Sequence, residues 1–465
     1  MIIFSSLVIF VITLFWSSKY WSKAVKISLF VAVLEGALRK WLVPQASEII
    51  YLFKDILLLG AYYGFFSRSY SINKISKKYL NPIKALTPLI AMWGLLQLLN
   101  PNMDSLIVSI FGLKNYFFYI PLLWIVPQTF TRVFELKQYI NIFLLLLLPV
   151  GFLAILQFFS PPDSVLNIYA PSAVNLNVAL TGNWQNVRVT GTFSYITGYT
   201  IYLSLCLAFL LPLLTEKQVF RWTVIKILCL FFIIITLFMS GSRGLLFSTI
   251  SVIFAFIILQ GSKVFSLLSK FAISLTFPLM ILYIIITKYF SDAVNGLLLR
   301  LTENQDIGYR IVGVFAEPFT FLRVAGLLGY GPGSAFQGTI AIRQLLDLGA
   351  GIIIPVYYES EPGRVTLEIG FIGFLIWYTL RFLIIVANWK IFLNLKNSFL
   401  KRLSLSIFLI QILNLPGQIV FNHTANLFYW FLNGLVLSLP YLDSSMLSYE
   451  PFNFNRSSNP KSILT

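Results

Sequence analysis

The residues of this chain able to do chemistry fall in short clusters between long apolar runs. In order they are Glu35-Gly36-Ala37-Leu38-Arg39-Lys40-Trp41, Lys54-Asp55, Arg188-Val189-Thr190-Gly191-Thr192-Phe193, Ser240-Gly241-Ser242-Arg243-Gly244 and Gly308-Tyr309-Arg310. Gly329-Tyr330-Gly331-Pro332-Gly333-Ser334 follows, then Glu359-Ser360-Glu361-Pro362-Gly363-Arg364 with Glu368, and Asn422-His423-Thr424-Ala425-Asn426. Arginine recurs throughout, and the chemistry it supports without a metal is the bidentate holding of phosphate or carboxylate groups. His423 is the single histidine and the one side chain whose ordinary pKa suits general-base work near neutral pH. A lone histidine at a helix end is more often structural than catalytic, and its place on the motif-bearing face is what favours the catalytic reading. With two cysteines, Cys206 and Cys229, both inside apolar runs, neither a disulfide scaffold nor a His-rich metal site is available, and no metal or cofactor is expected.

Arg243 is the sharpest single signal. It lies in a tight turn between two apolar segments, where a guanidinium is costly unless it snorkels or meets an anion. Its flanking glycines permit close backbone approach, and the helix it opens offers amides that favour an anion. Gly329, Gly331 and Gly333 alternate around a proline, which suits a rigid turn with exposed amides; a plain structural turn is the alternative. It is not a nucleotide loop, because no Lys-Ser/Thr pair follows it. Arg310 and Arg364 read equally as ligands for an anion or as partners of Glu303, Asp306, Glu359 and Glu361. Glu35 and Arg39 share a helix face at i, i+4, with Lys54-Asp55 one helix later; this pattern predicts an intramembrane charge network joining two helices.

The elements that must position these residues are membrane helices. Of the 465 residues, 58% are hydrophobic and 11% charged, which excludes an ordinary soluble enzyme and a disordered chain. Apolar runs of spanning length recur near 1–16, 24–38, 49–66, 84–99, 105–127, 139–159, 195–214, 222–240, 244–260, 271–287, 365–387, 403–421 and 424–440. The expected fold is therefore an all-α polytopic transmembrane bundle of about 12–13 spans. The first run lacks a basic flank before it and a cleavage site after it, so it reads as an uncleaved helix. With that N-terminus outside, one side of the membrane collects 22 Lys/Arg against four acids, and the other ten against eleven. Lys54, Asp55, Lys114 and Glu368 remain within the membrane. The formal +17 is thus a topology signal of the positive-inside kind and not a nucleic-acid footprint.

Under this assignment residues 1–442 form one membrane domain and 443–465 a cytoplasmic tail without fixed structure. Two outer loops stand out. The loop 160–194 carries Pro161, Pro162, Pro171 and Gly182, with Leu176 and Trp184 suited to the interface. Residues 288–364 form a polar stretch too long for a bare connector, hence a functional element or a small helical subdomain. All the clusters except Lys54-Asp55 and Glu368 fall on the outer side.

The Ser240–Gly244 turn, the long outer loop and the sequence Gly329-Tyr330-Gly331-Pro332-Gly333-Ser334-Ala335-Phe336 together resemble the O-antigen ligase and O-antigen polymerase superfamily. Glu368-Ile369-Gly370-Phe371-Ile372-Gly373 matches the Glu-x-Gly-x-x-Gly helix that follows the loop there. The resemblance spans roughly residues 195–390. It implies transfer of a glycan from a polyprenyl diphosphate carrier to a sugar or lipid acceptor at the outer face of a bacterial inner membrane, without a metal. Arg243 and Arg310, then Arg188 and Arg364, are the expected holders of the departing diphosphate. The family's ligases carry a catalytic histidine at the end of the long loop, where this chain has Glu359–Arg364. Glu359, Glu361 or the displaced His423 is then the base. The partners expected are the lipid-linked donor, the acceptor and membrane lipid. The competing readings are a transporter or flippase of lipid-linked saccharides, which requires charged residues along a mid-membrane path, and a noncatalytic assembly subunit.

Overall fold

The computed structural model describes residues 2–68, 75, 77–103, 105–171, 177–181, 186–216, 220–260, 288–302 and 307–447. The expected span 271–287, the interface residues Leu176 and Trp184, Gly182, Glu303, Asp306 and the segment 448–465 lie outside the described residues, as does the side chain of Arg310. Helices α1 (Ile2–Lys19), α2 (Trp21–Ala37), α3 (Ser47–Phe66) and α4 (Lys77–Gln97) precede α5 (Leu106–Phe117), α6 (Leu122–Thr129), α7 (Val133–Leu145) and α8 (Leu147–Phe159). Next come α9 (Ile196–Leu214), α10 (Phe220–Met239) and α11 (Arg243–Gln260). The long loop contributes α12 (Ser291–Thr302), α13 (Ile307–Ala325) and α14 (Gly338–Leu345), so it is helical. The chain closes with α15 (Glu361–Asn394), α16 (Ser398–Leu413) and α17 (His423–Leu447). No β-strand occurs among the described residues.

The fold is an all-α bundle of a multi-pass membrane protein. Among the described residues six stretches are long and apolar enough to cross a membrane: Pro44–Phe66, Val133–Phe159, Ile196–Leu214, Trp222–Met239, Arg243–Gln260 and Glu361–Asn394. Helices α5 and α6, bent by 43° at their break, make a seventh if they form one broken span. The expected 12–13 counted every apolar run, including 271–287, which lies outside the described residues. Of those runs, α2 and α16 make helices of only 17 and 16 residues, and α4 carries Pro82 and Pro88. Helix starts follow local chemistry. Asn397 caps α16 by accepting the amides of Phe399 and Leu400, and Ser360 caps α15 through Gly363 N–H with Pro362 in the first turn.

The bundle has two chemically distinct ends. One gathers Lys26 against Glu135, Lys137 against Glu216 at 2.7 Å, and Arg402 against Glu216 at 3.7 Å. The other gathers the sequence clusters. There the 186–194 segment ties together the ends of α2, α8 and α10, through Thr192 Oγ1 on Val33 O at 2.6 Å, Gln157 on Gly191 N–H, and Val189 N–H on Met239 O. At the first end the expected free tail starts too early. Helix α17 continues to Leu447, because the Asp443 carboxylate accepts the amides of Lys396 and Asn397 and pins the helix to the α15–α16 connection.

Helix α15 is broken within its length. Gly370 adopts φ 73°, ψ 174°, a conformation that L side chains avoid, and this frees the carbonyls before it. Each finds a donor: Tyr330 N–H reaches Leu367 O at 2.7 Å, Gly331 N–H reaches Glu368 O at 2.8 Å, and Trp93 Nε1 reaches Ile369 O at 3.0 Å. The Gly329–Phe336 turn is thus interlocked with the kink. Gly329, Gly331 and Gly333 all have positive φ, and a Cβ on Gly329 would meet the backbone of Gly370.

Candidate functional site

The turn between α10 and α11 and the loop strand before α9 bring Arg188 and Arg243 together. Arg188 is held by its own amide on Ala179 O at 2.8 Å and donates Nε to Ser240 O at 2.9 Å. Gly241, at φ 57°, lets the turn pass beneath this side chain; a Cβ there would lie 3.2 Å from Arg188 Nε. Arg243 donates Nη1 to Arg300 O at 3.0 Å, in the last turn of α12. Burial first, and then the positive charges of Arg300 and Arg243, push the Arg188 guanidinium down to about 10. Among the described residues no carboxylate pairs with Arg188 or Arg243. Arg188 and Arg243, without a carboxylate partner among the described residues and beside Arg300, have the arrangement that bidentate holding of an anion requires. The space beside Gly244 is open.

Behind this site lies the expected charge network, larger than the sequence pattern indicated. Glu35 takes Lys54 at 2.5 Å and Arg39 at 3.6 Å, while Asp55 pairs with Lys114 of α5 and accepts Tyr119 Oη at 2.5 Å. Arg39 stacks over Tyr51 at 4.8 Å and donates to Ser194 Oγ at 3.1 Å, just before α9. Lys40 is buried and donates to Thr190 Oγ1 at 3.1 Å and Gly191 O at 2.8 Å; burial pushes its ammonium down to about 7. The network welds α2, α3 and α5 to the loop that carries Arg188.

His423 is wedged against this network. It is 2% exposed and sandwiched between Tyr51, at 4.8 Å, and Phe336 of the glycine turn, at 5.6 Å. Its Nε2 lies 2.6 Å from Asn115 Oδ1, an acceptor, so Nε2 carries the proton and Nδ1 has no hydrogen-bond partner. Asn115 carries no mark in the sequence that would have singled it out.

The remaining expected residues lie elsewhere on the same end. Glu361, expected as a candidate base, is instead fully engaged: it is 0% exposed, pairs with Arg381 Nη1 at 2.5 Å, and accepts the amides of Ile419 and Val420. Three donors and complete burial make this carboxylate a structural anchor of the α15–α17 region. Arg364 is buried between the rings of Tyr358, at 5.2 Å, and Phe421, at 5.4 Å, away from the Arg188–Arg243 pair. Arg310 lies in the first turn of α13. The amides of the Gly329–Phe336 turn, expected to be exposed, are spent internally: besides those on the kink, Ala335 N–H meets Glu368 Oε1 at 3.0 Å. Glu368 Oε2 accepts Tyr116 Oη at 2.9 Å, so this carboxylate is a structural hub.

A cavity of about 190 Å³ lies between α9, α16 and α17. Thr197, Thr200, Ser204, Gln411 and Gln418 supply its polar lining, and Ile201, Ile410 and Phe428 part of its apolar wall. The first turn of α9 connects it to the clusters. Tyr195 packs on Tyr169 beside Arg188, and Thr197 accepts Asn422 Nδ2 at 3.2 Å, one residue from His423. No protein-family model matches the chain, and no curated protein matches it significantly in sequence.

Proposed function

We propose that this membrane protein transfers a glycan from a polyprenyl diphosphate carrier to a sugar or lipid acceptor at the outer face of a bacterial inner membrane, as an O-antigen polymerase or ligase does. The observation that carries the reading is the pairing of Arg188 and Arg243 around the Ser240–Gly241 turn, next to Arg300 and without a carboxylate partner among the described residues. In this reaction the acceptor oxygen bonds to the anomeric carbon as the bond from that carbon to the carrier's phosphate oxygen breaks. The electron pair leaves on the diphosphate, where preorganised guanidiniums stabilise it most as the charge develops. The acceptor's proton passes to a base. Of the three side chains expected for that part, Glu361 is buried and held by three donors, Glu359 accepts Tyr357 Oη at 2.8 Å, and His423, itself buried, keeps Nδ1 without a hydrogen-bond partner among the described residues in a ring fixed by stacking and by Asn115. The transport reading rested on Lys54, Asp55 and Lys114. All three are engaged in ion pairs, Lys54 with Glu35 and Lys114 with Asp55, which supports a structural role for them.

Complementation of a strain deleted for its own copy, with Arg188→Ala, Arg243→Ala and Arg310→Ala beside the natural chain, tests the proposal. Loss of one oxyanion-holding donor costs about 10²–10³ in rate, so polysaccharide length or attachment collapses in the first two variants while protein levels hold. Unchanged polysaccharide in both refutes it.

A further inference from the structure

Helix α13 belongs to the loop expected to stand in water, yet its outward face is apolar. Gly313, Glu317, Phe321 and Ala325 recur every fourth residue and are buried or nearly so, with Glu317 and Phe321 packed on Gly363 and Leu367 in the first segment of α15. The opposite stripe holds Ile311 at 60% exposure, Val312 at 62%, Phe315 at 71% and Phe319 at 60%, again at helical spacing. The charged Arg323 sits in the last turn, where a long side chain reaches water from an apolar surface. A stripe of this kind facing solvent is unfavourable and marks a surface that something covers.

The covering phase is indicated by continuity. Phe319 packs on Phe371 at 5.7 Å between ring centroids, and Phe371 on Phe374 at 5.8 Å. These two rings belong to the membrane-crossing part of α15, whose Leu375 and Phe382 are themselves 49% and 59% exposed. On the other flank, Leu327 and Leu328 follow soon after α13, and Met92, Leu95 and Leu96 of α4 are exposed on a helix that packs against the same α15. One uninterrupted apolar belt thus runs from α4 and the α15 span onto the loop helix.

We infer that α13 lies in the bilayer interface with Ile311, Val312, Phe315 and Phe319 among the lipid acyl chains, so that the long loop is a membrane-resting flap and not a water-borne domain. An amphipathic helix in this position is held by its buried apolar face. It also keeps the glycine turn, reached only three residues after α13, at the depth of the lipid surface.

The test is spin-label accessibility in lipid nanodiscs at Phe315→Cys, with Asp163→Cys in the exposed turn after α8 as the aqueous reference. The natural Cys206 and Cys229 are buried and do not take the label. The expected result is a severalfold higher ratio of oxygen to nickel-chelate collisions at position 315 than at 163. A ratio at 315 equal to that at 163 places the stripe in water and overturns the inference. Low collision with both reagents at 315 places it under another protein surface and overturns it equally.

Discussion

The pair Glu361–Arg381 offers the most demanding test of how the motif-bearing end is held. Both side chains are 0% exposed. The carboxylate has three donors, Arg381 Nη1 and the amides of Ile419 and Val420, while the guanidinium also serves Asn414 O at 3.0 Å and stacks on Tyr378 and Tyr429. Replacing Arg381 by Met strands a buried carboxylate, which costs about 3–5 kcal/mol. Glu361→Gln removes the charge but leaves Arg381 its carbonyl and rings, so about 1–3 kcal/mol is expected. The double variant leaves no buried charge unpaired, and its loss falls short of the sum by about 2 kcal/mol or more. Titration of the four proteins from mild detergent into dodecyl sulfate, followed by helical signal, measures the cycle. If the two single losses add to within about 0.5 kcal/mol, the pair is not the lock described. Glu361→Gln carries a second readout. Polysaccharide formation lost at normal protein level in that variant would return Glu361 to the role of base.

Two further outcomes follow from single positions. Gly370→Ala drives a Cβ into Leu327 O at φ 73° and costs more than about 3 kcal/mol, seen as failure of the protein to accumulate in membranes, whereas Gly244→Ala enters open space and stays within about 0.5 kcal/mol. Lys40 is held down to about 7 in the fold, against an ordinary lysine value of 10.5, so between these values the unfolded chain binds more protons and stability rises with pH. The slope approaches about 1.4 kcal/mol per pH unit. Thermal unfolding in detergent from pH 7.5 to 9 shows this slope in the natural chain and its disappearance in Lys40→Met.

What the sequence disclosed follows from how local each signal was. Glu35 and Arg39 share a helix face, and Lys54-Asp55 breaks an apolar run, so their network was legible. The part played by Lys114 was not, because its partner Asp55 lies on another helix. Arg188 and Arg243 were marked by their glycine neighbours, but their convergence on one turn depends on the path of the 186–194 segment across three helix ends. The glycine turn was legible as a turn, and its use was inverted. The kink at Gly370 carries no proline to announce it, so nothing in the sequence said that the amides at 330 and 331 were needed for carbonyls 37 residues later. Asn115 against His423 is a contact across 308 residues and has no local signature at all.

The break in α15 also bears on how the chain is built. The donors described from outside the helix to the carbonyls of Leu367, Glu368 and Ile369, namely Tyr330, Gly331, Trp93 and Gln97, all precede them in the sequence. Their partners have therefore left the ribosome before the kink does. An apolar helix entering a membrane with three unpaired carbonyls would have to straighten or stall. Here the receptor for the bend is already synthesised when the kink emerges, so the break can be satisfied as soon as this span enters the membrane.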